Sequence, residues 1–122
     1  MESDLPCHVW WDEQHRIARN DWKPGSVCDL DGARKVTAAV GAFGRGAVPV
    51  LVDMRYLAKA DRAAREHFTG PDAQATAVAL LVASAVSRVV ANFIIGLQRM
   101  PVPTRMFTDE SAAVSWLGEN LG

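Results

Sequence analysis

A chain of 122 residues, 49% of them apolar, is the size of one ordinary domain with one continuous core, which excludes a disordered tail or a disulfide scaffold. A formal charge of −1, with the two signs interspersed, excludes a dedicated nucleic-acid binder, which needs a basic face to displace counterions. The N-terminus has no cationic leader or apolar signal core, and the longest apolar stretch, 76–86, is shorter than the roughly 20 residues that span a bilayer.

Val9–Asp12 and Arg16–Asn20 are short β-prone runs around a polar Glu13–Gln14–His15 bend, so an antiparallel hairpin is expected. Trp22 precedes Lys23–Pro24–Gly25, a turn signal. Asp29 reads as an N-cap, after which Ala33, Val36, Val40 and Phe43 recur at helical spacing until Gly44–Arg45–Gly46 stops the helix. Val48–Met54 is a continuous apolar strand. Tyr56–Ala58 then leads into a helix over Lys59–Phe68 that ends at Gly70–Pro71.

The next strand, Thr76–Ala83, sets Val78, Leu80 and Val82 on one face and Ala77, Ala79, Leu81 and Ala83 on the other. The small residues predict a helix packed closely on that second face. Ser84 or Ser87 caps the following helix, whose expected core stripe is Val86, Val89, Val90, Phe93, Ile94 and Leu97. Pro101 and Pro103 forbid its continuation. Thr104–Thr108 is the last strand. Thr108 or Asp109 caps a final helix, in which Glu110 complements the dipole and Ala113, Trp116 and Leu117 face inward.

The order is therefore ββαβαβαβα. Continuous apolar strands between amphipathic helices require a buried parallel sheet, and right-handed crossovers lay the later strands side by side. The expected class is α/β: a mixed sheet of about five strands with about four helices in one domain, and the antiparallel hairpin at one edge.

The chain resembles the STAS (anti-sigma-factor antagonist) superfamily, and within it the uncharacterised bacterial SpoIIAA-like members. The resemblance rests on the Trp22–x–Pro24–Gly25 turn, the strand VPVLVDMR (Val48–Arg55) and the run from Val78 to Leu117, most of all SRVVANFIIGLQRMPVPTRMFTDESAAVSWL. It implies a β–α superhelix that binds proteins without catalysis. Partner-switching relatives carry a phosphorylatable Ser or Thr at the start of the helix after the strand matching Val48–Met54. Here that connection reads Arg55–Tyr56–Leu57–Ala58–Lys59–Ala60–Asp61, with no hydroxyl but the tyrosine. A phospho-switch of that kind is not expected, and Asp61 reads as a helix cap sooner than as a phosphate mimic.

Asp53, Ser84, Thr108 and Asp109 end the three apolar strands at one sheet edge, where α/β proteins place ligand groups and where helix N-termini suit a small anion. The plainer reading of Asp53 is a turn cap or an ion pair with a nearby arginine such as Arg55. His8 and His15 flank the first bend with Cys7 nearby, but a hairpin supplies fewer than the three or four convergent ligands a metal needs. No metal or cofactor is expected. Cys7 and Cys28 have no metal-ligand or redox spacing and read as small core residues in a reducing cytoplasm. His67 has no partner identifiable in the sequence, and no nucleophile elbow supports a triad.

Trp10 and Trp11 are adjacent on a strand and must point to opposite faces. Either both faces are covered, or one indole is exposed and, with Trp22, marks an interaction surface. Ile95 widens the apolar stripe of the helix after Ser84. If every helix lies on one face of the sheet, the other face needs a second copy of the chain. The function expected first is a non-catalytic interaction or regulatory module, cytoplasmic and homodimeric, without nucleic acid or a membrane span. A small apolar-ligand or lipid carrier of CRAL-TRIO type is the alternative, because that fold borders the same superfamily. A hydrolase or transferase at the Asp53/Ser84/Asp109 edge comes last.

Overall fold

The computed structural model describes residues 7–68, 75–97 and 102–119, apart from the side chains of Arg65, Phe68, Val86 and residues 93–97. In chain order the elements are β1 (Cys7–Asp12), β2 (Ile17–Trp22), β3 (Val27–Cys28), α1 (Leu30–Gly41), β4 (Val48–Asp53), β5 (Lys59–Ala60), α2 (Arg62–Phe68), β6 (Ala75–Leu81), α3 (Ala85–Leu97), β7 (Thr104–Phe107) and α4 (Glu110–Glu119). Five strands pair in the order β1-β2-β4-β6-β7. β1 and β2 are antiparallel and the other pairs parallel, so the expected mixed α/β sheet with an edge hairpin is present. Among the described residues, no helix is long and apolar enough to cross a membrane.

Local chemistry sets the helix starts. Asp29 accepts the Gly32 N–H at 2.7 Å, and Asp109, rather than Thr108, accepts the Ala112 N–H at 3.0 Å. Asp61 accepts the Ala64 N–H at 2.9 Å, the cap expected of it. The second helix nevertheless starts at Arg62 and not at Lys59, because Lys59–Ala60 pair with Val27–Cys28 in a separate two-stranded ribbon. The hairpin differs too. Its strands reach back to Cys7 and on to Trp22, while Arg16 leaves the strand for the turn with φ 57°.

The cross-strand register sorts the side chains into two faces. Ala18, Val48 and Val50 pack with Val40 of α1, while Leu80, Val82 and Met54 pack with Ala33 and Val36 of α1, Ala64 of α2 and Val90 of α3. On the opposite face Ile17, Leu51, Ala77 and Ala79 pack against Ala113 and Leu117 of α4, with Phe107, Val114 and Trp116 at the rim. The alanines of β6 do admit a close helix, as their size predicts. The helices do not all share one face, so the condition under which the other face would need a second copy is not met: α4 packs against it. This helix follows the last strand and folds back over the side the crossovers leave bare.

α3 sits rotated from its expected stripe. Ser87, Val90 and Ala91 are buried, and Val89 is 66% exposed. Ser87 is drawn inward because its hydroxyl accepts the Ala83 and Ser84 N–H groups, while Ser84 Oγ accepts the Ser87 N–H at 3.0 Å. Both serines therefore build the cap. Ile95 belongs to α3, but its side chain, like those of Phe93, Ile94 and Leu97, lies outside the described residues.

Asp12 holds the hairpin turn. Its carboxylate accepts the His15 N–H at 3.1 Å, lies 2.9 Å from His15 Nδ1, and accepts Arg19 Nη1 at 3.1 Å. Burial alone would raise the Asp12 carboxyl, but the hydrogen bonds from His15 and Arg19 outweigh it and hold the group below the usual range.

Leu51 is fully buried beneath α4. Leu51→Ala is expected to cost about 2–5 kcal/mol in denaturant melts, and a loss under about 1 kcal/mol would mean α4 does not cover it. Asp12→Ala should cost about 1–3 kcal/mol at neutral pH. Because the folded carboxyl titrates below the unfolded one, its contribution is complete above the unfolded value of about 3.9 and disappears as pH falls through the lower native value. Melts over a pH series should show wild type and variant converging in strong acid, and a gap that persists there would contradict this account.

Candidate functional site

Along β2 the residues Ile17, Arg19 and Asp21 share the α4 face, and across the pair Trp10 lies opposite Arg19. α4 packs over β4, β6 and β7. The half of this face built by β1 and β2 carries charge instead of an apolar helix. Arg19 is 8% exposed in mid-strand, so its guanidinium must be paired. Nη1 meets Asp12 at 3.1 Å and Nη2 meets Glu110 at 2.9 Å. Burial works against the Arg19 charge, but the bonds to Glu110 and Asp12 prevail and raise its pKa.

Glu110 continues the ladder, its other oxygen lying 3.8 Å from Arg55 Nη2. Arg55 grips Asp53 with two bonds, Nε to Oδ1 at 3.0 Å and Nη2 to Oδ2 at 2.8 Å, and its backbone N–H adds a third at 3.2 Å. These bonds to Asp53 raise the Arg55 pKa against a smaller opposing effect of burial. The ladder Asp12–Arg19–Glu110–Arg55–Asp53 thus joins the hairpin turn, β2, the first turn of α4 and the end of β4.

Three of the four strand-end candidates have structural partners of their own. Asp53 is both turn cap and ion pair, the plainer reading of it. Ser84 caps α3, Asp109 caps α4, and Thr108 is exposed beside it. The sheet does align their strand ends, through Met54 N–H to Leu81 O at 3.0 Å and Val82 N–H to Phe107 O at 2.9 Å. Among the described residues, however, Asp53, Ser84 and Asp109 do not hydrogen-bond one another, and no three His, Cys, Asp or Glu side chains group to hold a metal ion. His8 and His15 are exposed, and His67 meets Thr37 with Nε2 2.9 Å from Oγ1.

Both adjacent tryptophans are half-buried, one on each face. Trp10 donates Nε1–H to Asp21 at 2.7 Å, with the Arg19 guanidinium 5.1 Å from its ring centre and His8 stacked at 6.2 Å. Trp11 donates to Glu13 at 2.7 Å and sits under Arg45 at 4.3 Å, beside Phe43 at 6.0 Å. Trp22 is a correction. It is 5% exposed and packs in the core with Cys7, Cys28 and Leu57, so it offers no surface. Both cysteines are buried as expected, and burial pushes their thiols up to about 12.

Sequence reasoning missed Arg19, Glu110 as a bridge, and Tyr56. The signal for Arg19 was available: a charge inside a strand whose neighbours are buried needs partners. Tyr56 is 57% exposed, with the Arg55 guanidinium 5.6 Å from its ring centre. The Gly25 N–H donates to Tyr56 O at 3.0 Å, and the Ala58 N–H donates to Ser26 O at 2.9 Å. Tyr56 and the 52%-exposed Val27 therefore ride on one ribbon at the carboxyl edge of β2 and β4.

The fold is shared with a known structure. The crystal structure of an uncharacterised DUF3478-family protein with a SpoIIAA-like fold from Shewanella loihica PV-4 superposes with a TM-score of 0.60 at 14% identity, covering 91% of each chain. A protein of unknown function from Arthrobacter sp. FB24 is 36% identical over 89% of this chain and 90% of its own, with a TM-score of 0.35. No curated protein matches the chain. The model of a domain of unknown function, DUF7793, matches residues 10–120. This chain, with its SpoIIAA-like fold, belongs to the DUF7793 family.

Proposed function

We propose that the domain works by binding a protein partner, as a non-catalytic and homodimeric interaction module. The observation that carries this reading is the carboxyl edge of the sheet. Asp53, Arg55 and Glu110 are bound to one another and Asp109 caps α4, while Tyr56 and Val27 are exposed to solvent, Tyr56 with its ring beside Arg55. Tyrosine and arginine are the residues that anchor protein interfaces, and an exposed aromatic on a ribbon fixed by backbone bonds loses little entropy on docking. The connection Arg55–Asp61 also occupies the place at which the STAS resemblance puts partner recognition. A tyrosine and a capping aspartate stand there in place of a phosphorylatable serine.

A hydrolytic role fits this edge poorly. A general base needs a free oxygen within reach of the nucleophile. Both oxygens of Asp53 are taken up by Arg55, and Ser84 accepts a bond from its own helix. A lipid carrier needs an enclosed apolar cavity. The side chains that would wall one, such as Leu51, Leu80 and Val82, pack instead against the helices.

Tyr56→Ala tests the binding reading. As a surface change it should move stability by no more than about 0.5 kcal/mol. Loss of an anchor tyrosine should weaken a captured protein partner by roughly 30-fold or more, about 2 kcal/mol. Affinity capture with wild-type and variant baits, followed by mass spectrometry of proteins and small molecules, reads the result. Capture of a small molecule alone, or a partner held equally by both baits, would overturn the proposal.

A further inference from the structure

The two edges of the sheet are not protected alike. β7 is only four residues long, is preceded directly by Pro103, and carries the exposed Arg105, all devices that discourage a further strand. β1 is six residues long, contains no proline or lysine, and presents Val9, Trp10 and Trp11 half-buried along an edge that, among the described residues, pairs with β2 alone. An edge of that kind offers a row of unpaired backbone groups to another strand. A groove of about 370 Å³ runs beside it, lined by Cys7, His8 and Val9 of β1, by Lys23, and by Ala39, Ala42 and Phe43 at the end of α1.

We propose that the occupant of this edge is the β1 strand of a second copy, joined antiparallel about a two-fold axis that passes through Trp10. The proposal rests on the homodimer of the preceding reading and supplies its interface. An axis normal to the sheet reverses strand direction but keeps each face on its own side, so partners across it must share a face. Centring the axis on Trp10 sets Trp10 against the partner's Trp10, Val9 against the partner's Trp11, and His8 against the partner's Asp12. Each pair is matched in kind: aromatic on aromatic, apolar on apolar, and the exposed His8 imidazole opposite the Asp12 carboxylate, which already holds His15 and Arg19. The partner's Trp11 then enters on the α1 face directly beside Val9, where the groove lies. Centring on Val9 instead sets His8 against the partner's Trp10 and carries Asp12 beyond the partner's Cys7, so the charge pair is lost.

Cysteine scanning reads the register. Residues facing themselves across the axis have Cα atoms about 4.5–5.5 Å apart, within disulfide range. Under mild oxidation Trp10→Cys should give a covalent dimer and Val9→Cys should not. The native thiols, buried and pushed up to about 12, contribute little thiolate to this reaction. His8 is exposed, so His8→Glu should fold normally, and by opposing Asp12 it should raise the dimer dissociation constant roughly ten-fold or more, while His8→Arg should not. Light scattering and sedimentation of the wild-type chain and both His8 variants measure this. A wild-type monomer at high concentration would overturn the homodimer itself. A wild-type dimer that ignores His8→Glu, or that crosslinks through Val9→Cys and not Trp10→Cys, would overturn only the β1 interface. A chain starting at Cys7 that dimerises where the whole chain does not would show that residues 1–6 cover this edge, and would overturn it too.

Discussion

The buried guanidinium of Arg19 is the constraint around which this domain is assembled. A charge removed from water costs several kcal/mol unless hydrogen bonds and an opposite charge offset it. Arg19 meets that requirement from two directions, the hairpin turn through Asp12 and the first turn of α4 through Glu110. The two contacts fix different things. Asp12 sets the register of β1 on β2, and Glu110 sets where the last helix begins relative to the sheet. Among the described residues Nε of Arg19 has no hydrogen-bond partner, so the ladder itself answers only the two terminal nitrogens of this buried charge.

The same ladder explains why one sheet face is divided. Ala77 and Ala79 let α4 approach β6, and Leu51, Ala113 and Leu117 fill the contact. Glu110 at the head of α4 stays beside the arginines of β2 and the β4 end, so the helix cannot slide across to cover the hairpin. Favourable placement of a carboxylate at a helix N-terminus adds to this hold. The result is an apolar half under a helix and a charged half without one. The strand ends that open a crevice in many α/β proteins are closed by Arg55 on Asp53 and by helix caps at Ser84 and Asp109.

Much of this architecture was legible in the sequence, for identifiable reasons. Val48–Met54 and Thr76–Ala83 are too uniformly apolar to be anything but buried strands, and the caps at Asp29 and Asp61 follow from their place before helical periodicity. The side on which α4 lies was not legible. α1, α2 and α3 each carry the chain from one strand to its next neighbour, and handedness puts all three on one face. No strand follows α4, so that rule does not reach it. The β3–β5 ribbon is too short for any periodicity to reveal. The rotation of α3 was missed because Val89 and Val90 look alike in a pattern, and because a cap at Ser87 does not by itself say that its hydroxyl, answering two N–H groups, turns inward. Arg19 and Glu110 are remote in sequence, and the sheet order sets β7 three strands from β2; they meet only because α4 folds back over the sheet.

The fold places its two prospective surfaces where they do not compete. β1 forms a lateral edge of the sheet, whereas Tyr56 and Val27 stand at the carboxyl ends of β2 and β4. A strand added to β1 therefore leaves the Tyr56 ribbon open. In the pairing proposed, the two-fold axis also reverses strand direction, so the two Tyr56 ribbons lie at opposite ends of one continuous sheet. Such a dimer presents two separated and identical docking sites. It is suited to hold two copies of a partner apart, or two repeats along one extended partner, and unsuited to clasp a single compact molecule between its sites.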